Sequence, residues 1–207
     1  MDRIFFPNRA FFWAFWVAII FIFGMIGYLI MDTFDYMNIS FFNTFVTDMI
    51  YVLLASLFVI CATLQFFAIY YMNKDVERYY TMIISCLFDK VGAHAYLFGA
   101  ILTVVDPTKV DTIWTLSTIG VCGFVIGAAI NLMIPSTSYS YIWADYFNLL
   151  GSLLYLLATI ITRLQISQLI VIFGDTIYLI DSILYMLCWF QDRRLVIEQN
   201  GQYMLMK

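Results

Sequence analysis

Six apolar stretches, each long enough to cross about 30 Å of hydrocarbon at about 1.5 Å per helical residue, constrain this chain more than any other feature. They run from Phe11 to Met31, Asp48 to Tyr71, Thr81 to Val105, Thr112 to Ile134, Tyr141 to Ile161 and Ser167 to Phe190. The expected fold is an all-α, polytopic transmembrane helical bundle of about six spans. Composition leaves no soluble alternative. Of the 207 residues 12% are charged and 64% hydrophobic, whereas a soluble domain carries about 25% charge. Ten basic against fourteen acidic side chains give a net charge of −4, and so sparse a positive charge excludes a nucleic-acid groove.

The first stretch is too long for the h-region of a signal peptide and is followed by no small-residue cleavage site, so it reads as a retained span. With the N-terminus inside, Arg3, Arg9, Lys74, Arg78, Arg193, Arg194 and Lys207 fall on the inner side, and only Lys109 and Arg163 fall outside. That is the bias of the positive-inside rule, which puts both termini on the inner side. Every connection is short. The longest, Asp32 to Thr47, is rich in Phe and Tyr and reads as a segment lying along the interface. Within it Asn38-Ile39-Ser40 matches a glycosylation sequon. Turns are expected at 106–109 and 135–138, each containing a proline. Cys61, Cys86, Cys122 and Cys188 lie in or near spans at spacings that fit no zinc or redox motif. They read as small buried hydrophobes.

A polar pattern recurs along the later spans. Asp111, Trp114 and Thr118 open the fourth; Asp145, Asn148 and Ser152 lie in the fifth; Asp175, Tyr178 and Ser182 lie in the sixth. Offsets of three and seven share one face of a helix, so each rod carries a polar stripe. Asp48, Tyr51 and Ser56 give the second span a looser version. Such stripes serve either as hydrogen-bonding glue between helices or as the lining of a polar passage. Gly120, Gly123 and Gly127 in the fourth span form a small-residue face suited to a close helix contact, within the chain or with a partner.

Residues 143–194 combine two apolar helices with Gly151-Ser152 ahead of Tyr155, Ser182 ahead of Tyr185, and a closing Trp189-Phe190-Gln191-Asp192-Arg193. This segment resembles the small two-helix YrhK-like membrane domain, whose helices repeat a Gly-Ser-aliphatic-aromatic pattern. Asp181 stands where the pattern has its second glycine. The resemblance implies a helix-pair module over residues 141–194 and no catalytic role that could be carried over.

Charges inside spans are costly and need an explanation. Ser85, Asp89, Lys90, Gly92 and His94 form the one dense polar group, within the third span. Either they face protein or water, or an interfacial helix from Asp75 to Lys90 precedes a short crossing from Val91 to Val105. Asp181 is near the middle of the sixth span, and a carboxylate there pairs with Lys90 or His94 or is held neutral. Asp145 and Asp175 lie early in their spans, where headgroups could reach them. Together Asp89, Lys90, His94, Asp145, Asp175 and Asp181 are the candidates for a buried polar network or an ion path.

No nucleophile, base and orienting group stand in a distinguishing arrangement, so the chain is not expected to be an enzyme or to hold a cofactor or metal. Three classes remain. The first is a structural or accessory subunit of a larger membrane complex, respiratory or otherwise organellar, with a mitochondrial inner membrane favoured over the plasma membrane. Its partners would be other integral-membrane proteins and bound structural lipids. The second is a small ion or proton channel or transporter, alone or as a homo-oligomer, using the buried charges of spans three, five and six. The third, a membrane enzyme acting on lipid or quinone, has only His94 beside Asp89 to offer.

Overall fold

A computed structural model describes residues 8–72, 78–134, 139–161 and 163–205, and among these the side chains of all but Asn8 and 195–205. The turn expected at 135–138, and Arg3, Lys74, Asp75 and Lys207, lie outside the described residues. The chain forms six helices: α1 (Asn8–Tyr36), α2 (Thr44–Tyr70), α3 (Tyr79–Val105), α4 (Val110–Leu132), α5 (Tyr139–Ile160) and α6 (Leu164–Leu205). Five of them are long and apolar enough to cross a membrane, so this is a polytopic helical membrane protein. The exception, α5, has the length but carries Tyr141, Asp145, Tyr146 and Asn148 in its first half, so five apolar spans stand where six were expected.

The segment from Asp32 to Thr47 divides: residues 32–36 continue α1, 37–43 form the connection, and 44–47 open α2. At the end of α1, Ile39 N–H bonds Phe34 O at 2.9 Å and Asn38 N–H bonds Asp35 O at 3.1 Å. Asn38 takes the left-handed conformation, φ 54°, that such a C-terminal cap requires and that asparagine tolerates. Asn43 then caps α2, its side chain accepting from Val46 N–H at 2.9 Å. Of the two alternatives for the third span, the described residues show one continuous helix, α3, over Tyr79–Val105. Asp89 and Lys90 therefore stand well inside it, and not at the end of an interfacial helix.

Each helix packs against its neighbours in sequence, and α1 also packs against α6; no two helices across the middle come together among the described residues. The bundle is thus a closed ring. Its short connections make neighbours antiparallel, so α1 begins and α6 ends at one rim, called here the terminal end. Small groups join the staves. Cys61 Sγ–H points to Val17 O, Cys86 Sγ–H to Ala62 O, and Ser85 Oγ–H donates to Gly127 O at 2.9 Å. Between α3 and α4 the backbones nearly touch: a Cβ on Gly123 would meet Gly92 Cα at 2.8 Å and Phe88 O at 2.9 Å. The small-residue face of α4 thus packs within the chain. Trp189 closes α6 onto α1, its Nε1–H donating to Phe11 O at 2.8 Å. Large apolar side chains such as Phe23, Leu53, Val91 and Phe98 point outward, as lipid requires.

Candidate functional site

The ring encloses a cavity of about 360 Å³ on the terminal-end side, lined by residues from all six helices. Four carboxyl groups line it: Asp89 from α3, Asp145 from α5, and Asp181 and Asp192 from α6. Two are held by tyrosines. Tyr185 donates to Asp145 Oδ1 at 2.6 Å, and Tyr141 donates to Asp192 Oδ2 at 2.6 Å. Asp89 occupies space left by Gly127, where a Cβ would fall 2.1 Å from Asp89 Oδ1. Asp181 is different: it is fully buried, and neither of its oxygens has a hydrogen-bond partner. Among the described residues the one basic side chain in the lining is Arg78, just ahead of α3, about 16 Å along the helix from Asp89.

Of the two alternatives that the sequence left for Asp181, the pairing with Lys90 or His94 does not occur. Lys90 turns away, its Nζ 5.5 Å from the centre of the Phe66 ring. His94 Nδ1 lies 2.7 Å from the Lys90 carbonyl on its own helix. Neither residue lines the cavity, whereas Asp89 and Asp181 both do.

Aromatic rings close the lumen beyond these acids. Phe58 is stacked on Tyr28 at 5.3 Å and lies 6.4 Å from Tyr96, 6.0 Å from Phe124 and 5.8 Å from Phe21. Phe21 meets Tyr178 at 5.9 Å, and Tyr178 meets Tyr155 at 5.6 Å. Every helix contributes to this layer. On its far side is a second, smaller cavity of about 180 Å³, bordered by Tyr28, Asp48, Tyr51 and Tyr96. Tyr96 lines both cavities.

The opposite half of the ring holds acids of its own. Tyr51 lies 2.6 Å from Asp32 Oδ1 and 2.7 Å from Asp35 Oδ2, and Tyr155 donates to Asp175 Oδ1. Asp175 is fully buried, about 16 Å along α6 from its start. Its side chain is enclosed by protein, whereas the sequence left headgroups within its reach. The polar stripes of α5 and α6 face each other, with Ser152 and Tyr178 hydroxyls 2.6 Å apart and Gly151 under the Tyr178 ring. Ser182, also buried, bonds Leu179 O. The stripe of α4 does not face the lumen: Asp111 and Trp114 are exposed, and Trp114 Nε1–H bonds Thr159 O on the outside of α5.

Asp32, Asp35, Tyr96 and Tyr155 were not among the candidates from sequence, and Tyr51 was named only in the looser stripe of the second span. The three-residue spacing of Asp32 and Asp35, which puts both on one helix face, is the signal that could have found two of them. Comparison with protein-family models, with curated proteins and with solved structures finds no match; the site is therefore read from its own chemistry.

Proposed function

We propose that this protein is a carrier for a small cation, taken up from the terminal end into the acid-lined cavity. The observation that carries this reading is Asp181, a fully buried carboxyl in the wall of a cavity with both oxygens unpartnered. A carboxyl buried at such cost is expected to serve an ion or proton path. Asp89 across the ring and the surrounding tyrosine and phenylalanine faces add charge and cation–π attraction, the chemistry that suits a hydrated monovalent or organic ammonium ion. The aromatic layer separating the two cavities favours a carrier over an open pore, since a bound ion has no continuous path past it. An accessory subunit would need no such lumen, and its apolar outer faces suit lipid as well as protein.

The test is uptake of K⁺ and of tetramethylammonium by proteoliposomes containing the purified chain. Wild type is expected to take up at least one, Asp181→Asn to reduce that uptake at least tenfold, and Lys90→Gln to leave it unchanged. Uptake of both ions equal to that of protein-free liposomes would sink the carrier reading. A native particle containing many different subunits would favour the accessory role.

A further inference from the structure

Counting protons in the half of the ring away from the termini reveals a second site. Tyr51 Oη is within hydrogen-bond distance of both Asp32 Oδ1, 2.6 Å, and Asp35 Oδ2, 2.7 Å. A phenol has one proton, so it can donate to only one of them, and the other contact bonds only if that carboxyl brings a proton. Asp32 next faces Asp175 of α6, whose buried Oδ2 has no hydrogen-bond donor. Two carboxylates have no donor between them, and this contact also needs a proton. Tyr155 donates to the other oxygen of Asp175, Oδ1. The string Asp35–Tyr51–Asp32–Asp175–Tyr155 thus has four contacts and two phenolic protons, and if each contact is a two-centre hydrogen bond the three carboxyl groups hold two protons between them.

We propose that this string is a proton-binding site, loaded from the end of the ring opposite the termini. Asp35 is exposed at that end, whereas Tyr155 lines the main cavity, so the string joins one rim to the wall of the other compartment. A second feature points to a ligand here. The cavity of about 180 Å³ beside Tyr51 has Tyr28 in its wall, 2% exposed, with its hydroxyl unpartnered, and that space has room for the water that would carry protons in. The titratable groups facing the string are Tyr28 on α1, Asp48 on α2, Tyr96 on α3 and Tyr178 on α6, the last against the Tyr155 ring. None is basic. Loading and unloading are proton transfers along existing hydrogen bonds and need no other reactant. What the protons accomplish rests on the carrier reading, in which they would be the coupling ions; proton binding itself does not.

Infrared difference spectroscopy of the lipid-reconstituted protein at neutral pH tests this directly, through the carbonyl stretch of protonated carboxyl groups and its shift in D₂O. Asp32→Asn and Asp175→Asn are each expected to lose part of that band relative to wild type. Tyr51→Phe and Tyr155→Phe keep all three acids and are expected to shift the band, so they carry the test if the Asn variants do not fold. Difference spectra with no change in the protonated-carboxyl region for the folded variants would overturn the proposal, even if cation uptake is normal. The band changes without any cation uptake would uphold the proton site and remove only the carrier.

Discussion

Asp181 sits in a helix that would be more stable without it. A buried polar group with no partner costs about 1–3 kcal/mol, and α6 on either side of Asp181 is apolar and well packed. Asp181→Leu is therefore expected to raise the thermal midpoint of the detergent-solubilised protein by several degrees while abolishing uptake, as replacements at strained functional positions commonly do. An unchanged or lower midpoint in a scanning unfolding assay would mean that the carboxyl has a partner. The candidacy of Asp181 was legible because a lone acid at mid-span has no innocuous explanation. Its neighbours were not, since whether Lys90 meets it depends on the rotation of α3 about its own axis. Asp32 was hidden for another reason: two acids among Phe and Tyr look like a loop until the cap at Asn38 is known.

At the scale of elements, the seam between α3 and α4 is the least tolerant. Gly123→Ala would force its methyl against the Gly92 Cα and the Phe88 carbonyl, neither of which can turn aside. The expected cost is about 1–3 kcal/mol, read as a lower unfolding midpoint in detergent. Gly24→Ala is the control, because its Cβ would meet Leu57 at 3.7 Å, an ordinary contact, and little change is expected. Helix limits were marked unevenly in the chain: 81–105 was expected where α3 spans Tyr79–Val105, but 11–31 where α1 spans Asn8–Tyr36 and 167–190 where α6 spans Leu164–Leu205. Hydropathy sets those limits almost alone. It says little about which face of a rod turns inward, and so the stripe beginning at Asp111 reads like those at Asp145 and Asp175 although it faces outward.

For the molecule as a whole, the aromatic layer is the barrier between two acid-lined compartments, and Tyr96 is its common wall. Tyr96→Ala is expected to join them and to give proteoliposomes a passive cation or proton leak, seen as collapse of an imposed gradient severalfold faster than with wild type. A gradient that decays at the wild-type rate would place the barrier elsewhere. The ring itself could not be read from six apolar stretches, because a ring and a filled bundle bury similar residues along each helix. They differ in the contacts across the middle, absent among the described residues, and in the contact between the first helix and the last, where Trp189 reaches Phe11. That contact also sets an order of assembly. A chain made from its N-terminus delivers Asp32, Asp89 and Asp145 to the bilayer before α6 exists, as an open trough with its acids facing lipid or whatever shields them. Only the final helix turns the trough into a vessel, so the newborn protein must be chaperoned through the interval or pass it quickly, and any lesion that delays α6 would present to the cell's quality control a half-built lumen of unsheltered charge.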